Sequence, residues 1–535
     1  MSPLTPYQGL LNGLSRRELM RLAWYGGAAT FLQPATARHA LAQPLFTEYP
    51  FSLGVASGDP SPTGIVLWTR LAPKPLEGGG MPAARVEVAW EVASEPRFND
   101  IVKKGTATAY PELAHSVHVE VEGLLPGNDY WYRFRVGRET SQAGRTKTAP
   151  AAGAPVDRLR FAVCGCSNYE HGHFTAYRRI ADEDFDFVLF TGDYIYEARP
   201  NGGQNERVRQ NIGLELYSLD DYRRRYAQYK LDPDLRAAHL SAPFIMSWDD
   251  HEVMDNYAGA IDARSTPPEL FLFRRAAAYQ AYYEHMPVRR TAMPTATGVK
   301  LYRRLHFGSL IDLSVLDTRQ YRSDQACSDG VKADCAERLE PSRTMLGDEQ
   351  ERWLFDNLAT ARARWTLVGQ QVYSFAFDSG SVAVDNAGVK PKDRFSMDAW
   401  DGYAAARARL YGRLKETKAP NPILVSGDVH QHFGADLKLN FHNPKSETVG
   451  VEMTNTSITS GGDGQNVMEG WDTLKSDNPH IKYHSSRRGY IACTATPATM
   501  RAEFRTLDHV SRPDAPVRTS GTLVVEAGRP GWQTT

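Results

Sequence analysis

Beyond residue 156 the chain repeats one hydrophobic pattern, a short unbroken apolar run followed by a polar cluster and then a segment with helical spacing. The apolar runs fall at 159–166, 185–191, 243–248, 309–316, 365–368 and 423–426. A run without polar alternation predicts a strand covered on both faces, as in parallel sheets flanked by helices. Between the first two runs Phe174, Tyr177, Ile180 and Ala181 recur at helical spacing. Amphipathic helices are predicted over about 268–285, 348–363 and 400–416. Strands alternating with helices give βαβ units and an α/β fold.

The segment from Phe51 to Thr148 reads differently. Short alternating runs such as Val86-Glu87-Val88-Ala89-Trp90 and Tyr130-Trp131-Tyr132-Arg133-Phe134 are broken by turn residues, which predicts an N-terminal β-sandwich. Leu124 to Tyr132 resembles the corner of fibronectin type III domains, where a turn precedes a Tyr-x-Tyr strand. The Ala-, Pro- and Gly-rich stretch Thr148 to Pro155 has no apolar period and is placed as the linker.

Three polar clusters stand directly after predicted strands, where open α/β sheets carry their sites: Gly192-Asp193-Tyr194-Ile195-Tyr196, Trp248-Asp249-Asp250-His251-Glu252 and Gly427-Asp428-Val429-His430-Gln431-His432. In the last, an extended chain would turn Asp428, His430 and His432 the same way, and one carboxylate with two imidazoles outlines a metal site. Each cluster alone also fits a capped turn, a solvated helix start or an edge pair of histidines. Their joint occurrence at strand ends of one sheet favours a site. There is no Gly-x-Ser-x-Gly elbow for a covalent serine mechanism.

With 62 basic and 63 acidic side chains the formal charge is -1, so nothing points to nucleic acid or to anionic membrane. At 535 residues more than one domain is expected. Residues 1–43 read as a twin-arginine signal peptide: Arg16-Arg17, an apolar stretch from Leu22 to Leu32 and the small-residue site Ala40-Leu41-Ala42 occur in order. A short amphipathic helix is the other reading. No later run is long enough to span a membrane. Periplasmic or secreted location through the twin-arginine export machinery follows. Cys327 and Cys335 bracket a polar loop that an oxidising compartment could close, while Cys164, Cys166 and Cys493 lie in apolar runs and are expected to be reduced.

The ordered motifs, including Phe51 to Pro60, Cys166-Ser167-Asn168-Tyr169-Glu170, Gly192 to Glu197, Trp248 to Val253, Leu316 to Arg322 and Ser426 to His432, resemble the alkaline phosphatase D family of metallophosphoesterases over nearly the whole chain after the signal. The resemblance implies an N-terminal β-sandwich at 44–150 and a four-layer αββα catalytic domain at 156–520. It implies Fe3+ together with Ca2+. Cys166 is similar to the family's thiolate ligand, although Cys164 stands two residues away. Asp193 is similar to the bridging carboxylate and Tyr196 to the tyrosinate. Asp250 takes the place of an asparagine ligand, His432 would complete the iron site, and Asp428 with His430 would serve the neighbouring metal. These donors make chemical sense, since thiolate, phenolate and carboxylate suit a trivalent iron and calcium prefers carboxylate oxygen.

Two further residues are candidates for catalysis. His251, beside Asp250, could protonate the leaving oxygen or hold a structural hydrogen bond. Arg319 in Asp317-Thr318-Arg319 could grip a phosphate or serve a fold-stabilising ion pair. Asn168 and Tyr169 are placed at the pocket. The implied activity is hydrolysis of phosphomonoesters and phosphodiesters by activated water. The alternatives are a phospholipase D-like or teichoic-acid-type phosphodiesterase, and a surface-polymer binding protein with a vestigial site.

Overall fold

A computed structural model describes residues 46, 48–200, 207–380 and 393–534, so the expected signal segment lies outside the described residues. Two large sheets organise the chain. The first has ten strands in the order Arg529–Thr534, Val517–Glu526, Thr499–Leu507, Gly489–Ala495, Leu159–Cys164, Phe187–Phe190, Phe244–Met246, Val55–Ser61, Gly64–Arg70 and Ser116–Glu122. The second has seven, in the order Arg303–Phe307, Ile311–Val315, Trp365–Gly369, Pro422–Ser426, Thr448–Thr454, His432–Lys438 and Ile481–Ser485. The centre of each is parallel and the flanks are antiparallel.

The unbroken apolar runs have the expected cause. In Leu159–Cys164, Phe161 and Val163 enter the core shared by the two sheets, while Ala162 and Cys164 face the opposite way. Phe187 and Leu189 point inward and Val188 and Phe190 outward, and Ile245 lies between Phe244 and Met246 in the same fashion. Period-2 alternation therefore presents both faces to apolar partners, and neither can be polar. The outer face of the ten-stranded sheet is covered by the helices Thr175–Asp182, Leu219–Lys230, Pro233–Ser241 and Pro268–His285. The helices Gly347–Thr360 and Ala404–Thr417 cover that of the seven-stranded sheet.

The predicted helix at 268–285 coincides with Pro268–His285, whereas the one at 400–416 begins as a 3-10 turn, Trp400–Tyr403, before Ala404. Leu219–Lys230 and Pro233–Ser241 have weak apolar periodicity, but strong start signals. Ser218 and Asp221 form a capping box, and Asp232 caps the second helix ahead of Pro233.

The N-terminal strands are less separate than a free-standing sandwich would be. Val55–Ser61, Gly64–Arg70 and Ser116–Glu122 extend the ten-stranded sheet, joined through the parallel pair Gly58 and Phe244. They also share a core with a five-stranded sheet that includes Val86–Ala93 and Asp129–Val136, through Ile65, Leu67, Val88, Tyr132 and Phe134. Tyr130 behaves as the corner residue its motif suggests, its hydroxyl accepting from the Leu125 amide at 2.9 Å. The stretch placed as a linker is anchored, with Thr148 donating to the Leu125 carbonyl and Ala149 donating to the Ser61 carbonyl. Cys327 and Cys335 are joined by a disulfide, and the other cysteines are free and buried. Among the described residues no helix is long and apolar enough to cross a membrane.

The two large sheets meet through aromatic contact. Phe187 is fully buried and stacks on Phe161 of its own sheet at 4.9 Å and on Phe307 of the opposing sheet at 4.5 Å. Phe187→Ala is expected to lower the unfolding free energy by about 3–5 kcal/mol in denaturant titration. A loss below about 1 kcal/mol would mean that the sheets close over the gap.

Candidate metal centre

The strand ends carry the polar clusters into one place. Cys166 follows Leu159–Cys164, Asp193 follows Phe187–Phe190, Asp249 and Asp250 follow Phe244–Met246, and Asp428 follows Pro422–Ser426. Glycine precedes three of these residues for a packing reason. A Cβ on Gly165 or on Gly427 would fall within 2.5 Å of the Thr191 hydroxyl, so the loops close around that side chain only without one. Cys166, Asp193, Asp428 and His430 all have left-handed φ, between 57° and 66°. Such backbone is costly for residues other than glycine and persists where the surroundings impose it. Here the Cys166 amide donates to the Gly192 carbonyl at 2.9 Å and the Ser167 amide to the Asp193 carbonyl at 2.8 Å.

Ligand atoms of Cys166, Asp193 and His430 lie within 4.8 Å of one another. So do those of Asp193, Asp250 and His251, and those of Asp249, Asp250 and Asp428. Asp193 thus belongs to two groups, as does Asp250. Tyr196 completes the first: its hydroxyl donates to Asp193 at 2.9 Å, lies 3.1 Å from His430 Nε2 and accepts from Ser460 Oγ at 2.6 Å. Cys164, by contrast, lies in the apolar core on the outer face of the sheet.

Negative charge accumulates here with little to balance it. Burial pushes Asp193 and Asp428 well above the carboxylate range, and the neighbouring carboxylates add to it. Burial also pushes Asp249 up to about 7, against the opposing Arg319 charge, and its Oδ2 has no hydrogen-bond partner. Burial and then Asp193 raise the Cys166 thiol and the Tyr196 phenol well above their ordinary values. His430 is pulled down to about 3 by burial and by Arg488. It is therefore neutral and can ligate. An orphaned carboxylate oxygen, a thiol, a phenol and a neutral imidazole held together out of water form a donor set suited to cations.

Two of the expected site residues have their side chains engaged elsewhere. His432 does not join the cluster: its Nδ1 accepts from the Thr456 amide at 3.2 Å, its Nε2 lies 3.4 Å from the Arg505 carbonyl, and its ring packs on Phe504. The alternation argument for Asp428, His430 and His432 fails because the left-handed turns at Asp428 and His430 rotate the chain before the strand begins at His432. His430, not His432, sits beside Cys166. Arg319 is fully buried. It binds Asp249 through Nε, Asp398 through Nη1 at 2.9 Å and Asp428 through Nη2 at 2.7 Å, with Asp250 at 3.7 Å. These contacts are the ion pairs of the second reading, and they hold Asp249, Asp398 and Asp428 together.

His251 packs its ring 4.1 Å from that of Tyr196, and its Nδ1 lies 2.7 Å from Glu197 Oε2. Burial works against its charge, yet Glu197, Asp250 and Asp193 outweigh it and raise His251 well above its ordinary value. Glu197 is correspondingly lowered. The pair is an imidazolium and a carboxylate. Asn168 borders the cluster, its backbone amide donating to Ser460 Oγ at 3.2 Å, whereas Tyr169 turns to Tyr229 and under the Arg209 guanidinium.

Sequence reasoning missed several supporting groups. Glu252 accepts from the amides of Asp193 at 3.0 Å, Asp249 at 2.7 Å and Tyr194, tying two ligand loops together. Arg488 donates from Nη1 to the carbonyls of His430 and Ser460, both at 2.7 Å. Glu252 and Glu197 lie at the ends of the quoted motifs, but their supporting roles were not read there. Asp398 and Arg488 stand in no motif.

Residues 161–504 match the PhoD-like phosphatase family, and residues 35–150 match the PhoD-like phosphatase N-terminal domain. Alkaline phosphatase D of Bacillus subtilis (strain 168) is 44% identical over 526 residues, covering 97% of this chain and 89% of that protein. A solved structure described as that of PhoD superposes with a TM-score of 0.89 at 45% identity, covering 92% of this chain and 93% of that one.

Arg319→Met leaves Asp249, Asp398 and Asp428 without their shared cation, and a loss of about 3–5 kcal/mol of stability is expected in chemical denaturation. A neutral result would show that the carboxylates are balanced by other means.

Proposed function

The chain belongs to the PhoD-like phosphatase family and is a phosphoric ester hydrolase, and from that premise we propose that it cleaves phosphomonoesters and phosphodiesters outside the cytoplasm with cations held at its strand ends. The position of Asp193 carries this reading: one buried carboxylate lies within ligand distance of a thiol and imidazole on one side and of Asp250 on the other. A shared carboxylate is what two adjacent cations require.

Cys166, Asp193, Tyr196 and His430 would hold Fe3+, because anionic sulfur and phenolic oxygen suit a trivalent ion. Asp249, Asp250 and Asp428 offer the carboxylate oxygens that Ca2+ prefers. Cation binding would draw the protons from the raised thiol and phenol. Such cations, when bound, polarise phosphoryl oxygens and make water nucleophilic near neutral pH. Arg319 and Glu252 hold the ligand loops in register, the first by charge and the second by three amide hydrogen bonds. His251 keeps its proton because Glu197 occupies Nδ1, which leaves the Nε2 proton for the leaving oxygen.

Residues 44–150 act in this reading as an N-terminal β-sandwich domain and 156–520 as a four-layer αββα catalytic domain, supported by the helices on each outer face. Residues 1–43 direct twin-arginine export, and the closed Cys327–Cys335 bridge suits an oxidising compartment.

Asp193→Ala is expected to lose bound metal, the visible charge-transfer colour of thiolate- and tyrosinate-bound Fe3+, and turnover together. Retained colour with lost turnover would remove the shared-ligand role. His251→Ala should lower kcat by about 10²–10⁴-fold and spare the metal, and an emptied site would end the acid role. Glu197→Gln removes the charge that keeps His251 protonated. The protonated form is lost as pH rises through its pKa, so the alkaline limb of kcat should move down by about 1–3 pH units. An unmoved limb would assign it to another group.

A further inference from the structure

The strand Gly64–Arg70 ends on a guanidinium that the catalytic reading does not use. Arg70 is 2% exposed and lines a cavity of about 230 Å³ bounded by the loop of Pro75, Gly78 and Gly79 and by the first turns of the helix Leu219–Lys230. Its Nε donates to the Ala114 carbonyl at 2.9 Å and its Nη1 to His285 Nε2 at 2.7 Å. His285 Nδ1 is 2.6 Å from the Ala281 carbonyl and donates to it, so Nε2 is the acceptor. Both partners are neutral. Among the described residues no carboxylate reaches Arg70 at ion-pair distance and Nη2 has no hydrogen bond.

Other buried arginines are better served, although Arg225, Arg274, Arg322 and Arg488 each leave one nitrogen unpaired. Arg274, Arg319 and Arg322 bind carboxylates, and Arg225 and Arg488 spend their terminal nitrogens on several carbonyls. A buried cation without counter-charge is costly unless something supplies it. Burial pulls Arg70 down to about 10, only partly opposed by Glu284.

We propose that this cavity is a second, non-catalytic site for a small tetrahedral oxyanion of the phosphate class. Arg223 and Arg224 stand on its wall. Arg223 is engaged by Glu284 at 2.6 Å and by Asp220 at 3.4 Å, while Arg224 has no ion pair or hydrogen bond among the described residues. Asp220 is the lining carboxylate, and its side chain is 78% exposed and turned to Arg223. Three guanidiniums against Asp220 and Glu284 leave one positive charge. Gly78 and Gly79 have φ of 75° and 93°, and a Cβ on Gly79 would stand 3.3 Å from Arg70 Nη2, so the backbone approaches the guanidinium directly. The Gly78 amide is unpaired among the described residues.

Guanidinium groups from a strand and a helix line the cavity beside the glycine loop, and together they suit more acceptor oxygens than a carboxylate has. The cavity is too small for a large organic ligand.

The test is equilibrium dialysis of the full, metal-loaded chain with inorganic phosphate, comparing wild type with Arg70→Met and Arg224→Ala. Arg70→Met should bind one phosphate fewer per chain than wild type, whatever the metal centre itself retains, so this result is independent of the catalytic reading. Arg224→Ala, a surface change that should fold, is expected to weaken that same phosphate by about tenfold. Equal binding by all three proteins overturns the site. Acetate that displaces the phosphate at equal concentration overturns the tetrahedral class, and acetate that fails to displace it supports that class.

Discussion

The structure depends on holding too many acids in too small a dry volume. Asp193, Asp249, Asp250 and Asp428 converge with a thiol and a phenol, and Arg319 is the guanidinium that reaches three of the carboxylates. In a low-dielectric interior such an assembly would repel itself apart unless the scaffold were rigid or counter-ions were present. The first condition is visible. Each ligand loop is tied to another by amide hydrogen bonds, and the donor types left over are those that cations take. Preorganisation here means that folding has already done the work of gathering like charges, so cation binding is repaid rather than taxed.

Much of this was legible in the sequence because two rules act on the same residues. Strands covered on both faces must be apolar throughout, so their ends stand out wherever polar residues resume. Gly165 and Gly427 pack against Thr191 and Gly192 against Asp249, with no room for a side chain, so the candidate ligands appear as Gly-Cys, Gly-Asp and Gly-Asp. What was not legible depends on turns rather than composition. The positive φ at Asp428 and His430 brings His430 rather than His432 beside Cys166, and no residue pattern announces that rotation in advance. Asp398 and Arg488 were invisible for a related reason: each acts through backbone or charge contacts with segments remote in sequence.

The N-terminal strands tell a similar story. Their alternation predicted a sandwich, and two sheets do share a core there. The register of Gly58 beside Phe244 then joins one of them to the catalytic sheet. A close approach makes this possible, since a Cβ on Gly58 would collide with the carbonyls of Pro287 and Phe244. Sheet edges are adhesive by nature, and here the edge of one unit is protected by becoming the interior of the other.

Strand order also sets a timetable. The strand Leu159–Cys164, which leads directly to Cys166, is paired on one side with Gly489–Ala495, and the sheet ends beyond that with Val517–Glu526 and Arg529–Thr534. Contacts so distant along the chain close slowly and late. As the ribosome works from the amino end, the platform under Cys166 lacks a neighbour until nearly the entire polypeptide has emerged. A truncated product would carry Cys166, Asp193 and Asp250, with the strand leading to Cys166 paired on one side only.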